Sequence, residues 1–368
     1  MKLLYLLVLF FSPVSLLFAD NLMRPEIVDE TNQTLFIDIS KKAFKKNIIC
    51  NTKKKKKAGY YIIKNNQTRW ISLKKRVQKL LLKNTQVDKK KKLSERYRKA
   101  NKLCNAFVNQ QNYSIRFFGN GYGDIDRIKI KLDSPAKPID IGDTDFTIEL
   151  WLNPTDQNLS TTNCSNNKDS WINGNVVLDR DIYGDGENGD YGISLMKNKI
   201  AFGVNKGSVG ATACSNSKLS INQWSHIAVT RKISSGELKI FINGKLDKIE
   251  NGPAGDITYF NNRYTDFPNS DPFLVIGAEK HDAGSDYPSY NGYIDEIRIS
   301  NTIRYSNNFS LPTSSYIADS LTVALYHFDE GLGAEVNDSS ENINSLSNGK
   351  LKVGGSPKGP VWSKLTPF

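Results

Sequence analysis

Between residues 113 and 328 the chain runs in short bursts of alternating apolar and polar residues, and this rhythm limits the fold more than any other feature. Eleven such runs occur, among them SIRFF at 114–118, DRIKIKL at 126–132, FTIELWLN at 146–153, KIAFGVN at 199–205, FLVIGA at 273–278, YIDEIRIS at 293–300 and LTVALYHF at 321–328. A period of two is the side-chain period of a β-strand, whereas a helix repeats its apolar face every 3.6 residues or so. In FTIELWLN, Phe146, Ile148, Leu150 and Leu152 fall on one face while Thr147, Glu149 and Trp151 fall on the other. Asn, Asp, Gly and Ser fill the intervals between runs. Many short strands separated by turn residues specify an all-β domain, an antiparallel β-sandwich.

The stretch 224–245, WSHIAVTRKISSGELKIFINGK, shows the pattern at its clearest. Leu238, Ile240 and Ile242 alternate with Lys239, Phe241 and Asn243, and Asn243-Gly244 is a pair that accepts positive φ in a two-residue turn. In the strand before it, Ile227 and Val229 take one parity and Trp224 and Ala228 the other, so both faces should be covered.

Charge divides the chain. The overall balance is +12. Residues 20–112 carry 25 Lys/Arg and 7 Asp/Glu, a balance of +18, whereas 113–368 carry 24 and 31, a balance of −7; Lys2 supplies the remaining +1. Residues 1–19 read as a signal peptide, with Lys2, an apolar run LLYLLVLFF and a small residue, Ala19, at the cut. Ser12 and Pro13 interrupt a run already short for a membrane span. The expectation is an exported protein, secreted, held at the cell surface or periplasmic. In that setting four cysteines favour disulfides over metal or catalysis. Four allow three pairings, of which Cys164–Cys214 and Cys50–Cys104 would each staple one region. Neither the zinc nor the redox spacing of cysteines is present.

Residues 20–112 contain the lysine clusters KKAFKK at 41–46, KKKKK at 53–57 and KKKK at 89–92. From Ile71 onward the segment reads as one or two helices, with Leu93, Tyr97, Ala100, Cys104 and Phe107 at helical spacing. It is expected to be a basic, partly helical or disordered segment, able to contact an anionic surface. The export signal argues against nucleic acid as its partner.

Five pieces in order, SIRFFGNGYGDIDRIKI, DFTIELWLNP, QWSHIAVTR with LKIFINGK, FLVIGAEKHDAG and YNGYIDEIRISNTIRY, together with the tail LTVALYHFDEGLGAEVNDSS, resemble the laminin-G-like domain. The resemblance covers 113–368 and leaves 20–112 outside. It implies a concanavalin A-like jelly roll, a fold whose members include carbohydrate binders, adhesion modules and accessory domains, so that fold alone does not set function. Enzymatic relatives of laminarinase type present the pattern E-x-D-x-x-E on one strand, where two close carboxylates perform retaining hydrolysis. That pattern is absent. Glu149 is followed by Leu150 and Trp151, Glu279 lacks the spacing, and Glu187 and Asp190 lie in a Gly-rich loop. His226, His281 and His327 are scattered, with no nucleophile motif beside them. No catalytic residue is assigned, and glycoside hydrolysis is the third reading of the chain.

Calcium is the cofactor considered. Asp124 and Asp126 share parity with Ile128 and Ile130, and Asp295 with Ile297 and Ile299. Carboxylates on an apolar parity are costly unless paired or metal-bound, and hard oxygen ligands suit Ca²⁺. The resemblance implies that the first and late strands are neighbours, so Asp124, Asp126 and Asp295 would be the metal ligands. The alternative is that they accept backbone N–H groups or pair with Arg127 and Arg298. Ligand contact is assigned to the loops 258–271 and 281–290, through Tyr259, Asn262, Tyr264, Asp286 and Tyr287, with Tyr183 and Trp171 on neighbouring loops. Aromatic faces stack on sugar rings, while amides and carboxylates fix hydroxyls. The expected function is a non-enzymatic module that binds a glycan or an extracellular protein partner. A structural or adhesion protein held at an anionic surface by its basic segment is the alternative.

Overall fold

The computed structural model describes residues 112–368, apart from 122, 124, 159, 161, 184–187, 343 and 344, together with five strands between residues 25 and 72. The chain divides into two compact units, Met1–Gln110 and Gln111–Phe368. In the first, β1 (Pro25–Ile27), β2 (Thr34–Ile37), β3 (Ile48–Asn51), β4 (Lys57–Lys64) and β5 (Gln67–Ser72) pair in chain order as an antiparallel meander. The sequence reading named no strand here. Ile48, Ile49, Tyr60, Tyr61, Ile62 and Ile63 are β-branched or aromatic and carry strand tendency, which the neighbouring lysine clusters obscured. The helices expected from Ile71 onward, and Cys104 with them, lie outside the described residues past Ser72.

The second unit is a sandwich of two antiparallel sheets. One runs in the order β15 (Lys245–Asn251), β14 (Glu237–Ile242), β13 (Ser225–Arg231), β8 (Phe146–Pro154), β17 (Asn291–Ser300), β6 (Ser114–Phe118) and β21 (Val361–Ser363), with β18 (Thr322–Tyr326) also paired to β17. The other runs β12 (Val209–Lys218), β11 (Lys199–Lys206), β10 (Asn188–Met196), β9 (Asn175–Asp179), β16 (Phe273–Ile276), β7 (Arg127–Lys131), β20 (Gly349–Lys352) and β19 (Glu335–Val336). Runs of consecutive strands, β13–β15 in one sheet and β9–β12 in the other, are joined to partners far away in sequence, such as β8 with β17, β6 with β21 and β7 with β20, as the jelly-roll reading requires.

The alternation read from the sequence sorts the side chains. Ile115, Phe117, Ile148, Leu150, Ile227, Val229, Ile240 and Ile297 of the first sheet meet Ile128, Ile130, Leu178, Tyr191, Phe202 and Leu274 of the second in one continuous core. Each fully buried aliphatic or aromatic side chain there contributes about 1.5–3 kcal/mol relative to exposure. Asn243 and Gly244, both at positive φ, make the two-residue turn between β14 and β15.

Two outer faces are covered as well, which is why β8 and β13 are buried along their whole length. Over β8, β13 and β17 lies the segment 301–320, whose Tyr305, Phe309 and Tyr316 meet Phe241 and His226. Over β10 and β11 lies a short 3-10 helix, Ser170–Asn173, whose Trp171 is fully buried with Val176, Met196 and Ala201. Its indole rests on Gly192 and Gly203, where a Cβ would overlap the ring. Cys164 and Cys214 form the expected disulfide, tying the segment before that helix to β12.

Candidate functional site

The acidic loops gather at one end of the second sheet. β9 and β16 are paired neighbours, with Val275 opposite Asp179. The chain leaving β9 carries Asp179 and Asp181; the chain entering β16 carries Asp271; the chain leaving it carries Glu279, Lys280 and His281. His281 is the hub. Its Nε2 lies 2.6 Å from Asp271 Oδ1, and its Nδ1 lies 3.2 Å from Glu279 Oε1 and 3.4 Å from Asp181 Oδ2. Burial disfavours the imidazolium, but the three carboxylates overcome it and push the pKa up to about 11. His281 is therefore a cation at neutral pH.

The carboxylates around it are preorganised by backbone donors. Glu279 accepts the N–H of His281 at 2.8 Å and that of Asp282. Asp271 accepts the N–H of Tyr183 at 3.2 Å and the hydroxyl of Thr265. Asp179 accepts the N–H of Lys280 at 2.8 Å. Lys280 is itself buried, its Nζ donating to the carbonyls of Asp271 at 3.1 Å and Phe273 at 3.0 Å. Burial and the charge of Glu279 push Asp179 up to about 7, and burial and the charge of Asp181 push Asp190 up to about 8. Asp181, Glu279 and His281 each bring one donor atom within 4.8 Å of the others, and they form the one such group of three among the described residues.

Two rings stand at the solvent side of this cluster. Tyr183 and Phe267 lie 4.1 Å apart between ring centroids and 5.6 and 5.9 Å from the His281 ring, and they are 49% and 38% exposed. Exposed aromatic surface beside oriented carboxylates can stack on a sugar ring while accepting hydrogen bonds from its hydroxyls.

The profile of the concanavalin A-like lectin/glucanases superfamily matches residues 128–306. Residues 128–306 are a concanavalin A-like domain. No curated protein matches the chain. Among solved structures, a candidate carbohydrate-binding protein from Bacteroides ovatus is 16% identical, with 68% of this chain and 60% of that one covered and a TM-score of 0.45. The chain thus spans less than two thirds of that protein. Domains LG4-5 of the mouse laminin α1 chain are 15% identical, with 57% and 48% covered and a TM-score of 0.34. The sialidase module CBM40 of Ruminococcus gnavus, solved with α2,3-sialyllactose, is 11% identical, with 52% and 91% covered and a TM-score of 0.36.

Of the acids expected to bind calcium, Asp126 and Asp295 have separate surroundings. Asp124 lies outside the described residues. Asp126 is buried and spends both oxygens on backbone donors, the N–H of Phe118 at 2.6 Å and of Asn120 at 2.8 Å, with burial raising its pKa to about 6. Asp295 does not face the core as its parity implied. Ile294 and Ile297 both enter the core although three residues apart, because a bulge between Asp295 and Arg298 holds one extra residue and Glu296 takes φ 50°. Asp295 thus turns to the outer face opposite Trp151, where burial and the charge of Glu296 push it up to about 10. At pH 7 it is a neutral acid there, and its Oδ1 accepts the Glu296 N–H at 2.9 Å.

The five expected ligand residues divide. Tyr259 is fully buried in the core and cannot reach a ligand. Tyr264 is 85% exposed, its hydroxyl donating to Asp266 at 2.8 Å; Asn262 and Asp286 are exposed and Tyr287 half-buried. The loops 258–271 and 281–290, assigned to ligand contact, do contain Phe267, Asp271 and His281, but none of the three was singled out, because the cluster joins three stretches far apart in the chain and no local spacing records it. The signal that existed was positional, since LDRD and AEKHD both follow runs that the jelly roll pairs.

Glu149, considered as a catalytic carboxylate, is fully buried under the 301–320 segment. It accepts from Arg298 Nε at 2.7 Å and Tyr305 at 2.8 Å and lies 3.3 Å from His226 Nε2, which in turn lies 2.7 Å from the Tyr316 hydroxyl. Burial raises its pKa, but His226, Arg298 and Tyr305 outweigh that and hold it below the usual range. This network ties the covering segment to the sheet. His327 is likewise committed, with Nδ1 2.9 Å from Glu296 Oε1.

Proposed function

We propose that the chain is an exported, non-enzymatic binding module whose ligand is a glycan taken at the Tyr183–Phe267 platform. The observation that carries the reading is the exposure of two stacked-distance rings directly beside a set of carboxylates held in place by backbone N–H groups. The disulfide between Cys164 and Cys214 supports an oxidising compartment. The commitment of Glu279 to three donors, and of Glu149 to a buried network, supports binding over hydrolysis, since neither carboxylate is free to act as a nucleophile.

Calcium belongs in this proposal at Asp181 and Glu279, the two carboxylates that meet beside His281 Nδ1, rather than at Asp126 and Asp295. Oxygen donors suit it, and it would supply the positive charge that the His281 imidazolium provides among those carboxylates. The test is a glycan array with the full chain, in calcium and in EDTA, against a Tyr183→Ala/Phe267→Ala variant. If the two rings together supply about 1.4 kcal/mol, the variant binds its best glycan about tenfold more weakly. Failure of the wild-type chain to retain any glycan in either condition would remove the reading.

A further inference from the structure

We propose that the solvent face of β7 and β20 is a second binding surface, one that takes the sulfate or carboxylate groups of an extended polyanionic glycan. It goes beyond the loop platform and does not depend on it. In β7, Ile128 and Ile130 enter the core, so Arg127, Lys129 and Lys131 all point outward. β20 alternates likewise, with Leu351 buried and Lys350 and Lys352 exposed. The register sets Lys350 opposite Lys129 and Lys352 opposite Arg127. Five cations therefore share one face of two adjacent strands.

Like charges directly opposite one another weaken a sheet, and folding alone gives no reason to set two such pairs side by side. The row on β7 extends about 13 Å, with the second row about 4.8 Å away. Lys129 is also held in place: its Nζ lies 4.3 Å from the Phe273 ring centroid and donates to the Asn269 carbonyl. Burial above all, and then the charges of Arg127, Lys352 and Lys280, push its pKa down to about 8. The acids at the edges are few. Asp133 lies 3.7 Å from Lys131 Nζ, Glu335 of β19 sits opposite Lys350, and Arg127 feels the charges of Glu279 and Asp179.

The ligand class follows from what the face offers. Single-stranded nucleic acid needs open rings for its bases, and Phe273 is covered by Lys129. None of the five outward positions is apolar, so nothing in the rows would enter a lipid bilayer. A linear glycan bearing sulfates or uronates presents anions in a row and asks only for a matching row of cations.

Lysine acetylation footprinting of the full-length protein, with and without saturating heparin oligosaccharide, tests this. Lys129, Lys350 and Lys352 should lose reactivity several-fold, while Lys218 and Lys245, exposed on other strands, should not change. Reading individual lysines separates this face from any binding by the basic segment 20–112. Unchanged reactivity of the three overturns the proposal. Equal protection by a DNA duplex, or by phosphatidylserine vesicles, overturns the assignment to a glycan. In a Lys350→Gln/Lys352→Gln variant, whose melting temperature should rise as the repulsion is relieved, heparin should no longer protect Lys129; full protection would count against the surface. A Tyr183→Ala/Phe267→Ala variant should show wild-type protection, so the two sites succeed or fail separately.

Discussion

Asp295 is a carboxyl group set where a carboxylate is expensive. Its Oδ1 accepts the Glu296 N–H at 2.9 Å, its Oδ2 has no hydrogen-bond partner among the described residues, and Glu296 and Asp329 add like charge nearby. Its pKa is about 10 in the fold against 3.8 ordinarily. Between those values the folded chain keeps a proton that the unfolded chain has released, so rising pH disfavours folding across that window. The contribution is intact below the ordinary value and fades as pH climbs to about 10. Asparagine keeps the neutral form at every pH. Asp295→Asn should therefore leave the urea midpoint near that of the wild type at about pH 4 and raise it at about pH 8. Equal effects at both pH values would rule out the protonated acid. Asp126 and Asp329, both at about 6, act in the same direction over a narrower window at lower pH in either protein. At this scale the sequence was half legible. Parity correctly marked Asp126 as buried, and backbone N–H donors were among the partners considered. The only mark of the bulge that reverses Asp295 in YIDEIRIS is the three-residue spacing from Ile294 to Ile297, and parity counted from Ile297 and Ile299 passes over it.

Strands were legible because an alternating run has one buried face whichever strand pairs with it; the elements that cover the outer faces were not. The 3-10 helix Ser170–Asn173 is only four residues long and has no periodicity to read, yet its Trp171 fills the outside of β10 and β11. What the sequence did offer was the pair Cys164 and Cys214, whose bond fastens this cover to β12. It closes a loop of 50 residues, worth about 4 kcal/mol in the chain-entropy model. A Cys164→Ser/Cys214→Ser variant should lose up to about that much stability. Because the cover is what the bond holds, Trp171 emission should shift to the red in the native baseline before the sheets unfold. A global loss of stability with unchanged native emission would mean that the cover stays down by its own packing. The candidate site shares this illegibility for a related reason. It is assembled by three loops whose proximity depends on the β9–β16 pairing, and only the jelly-roll order, not any motif, brings Asp181, Asp271 and His281 to one place.

At the scale of the whole molecule, the change of texture near Tyr113 is also where the chain divides into units. The physical reason lies in how the sandwich closes. β6 begins at Ser114 and pairs with β21, which ends at Ser363, so the first and last strands of the unit are neighbours in one sheet. The core cluster runs from Ile115 to Leu351, with Trp362 packed against it. Every strand of the two sandwich sheets thus lies after Gln111, whereas the excess of Lys and Arg lies before it. Residues 111–368 expressed alone should then unfold in one cooperative transition with a melting temperature within about 2 °C of the same transition in the full chain, since about 1 kcal/mol moves the midpoint of a domain this size by roughly 2–4 °C. A larger drop would show that β1–β5 or the residues around them contribute to the sandwich. The fragment should also reverse the behaviour of the parent on ion exchange, because −7 replaces +12. A net-acidic fragment that still held heparin would have to do so through a local concentration of cations, and Arg127, Lys129, Lys131, Lys350 and Lys352 are where the fold has gathered them.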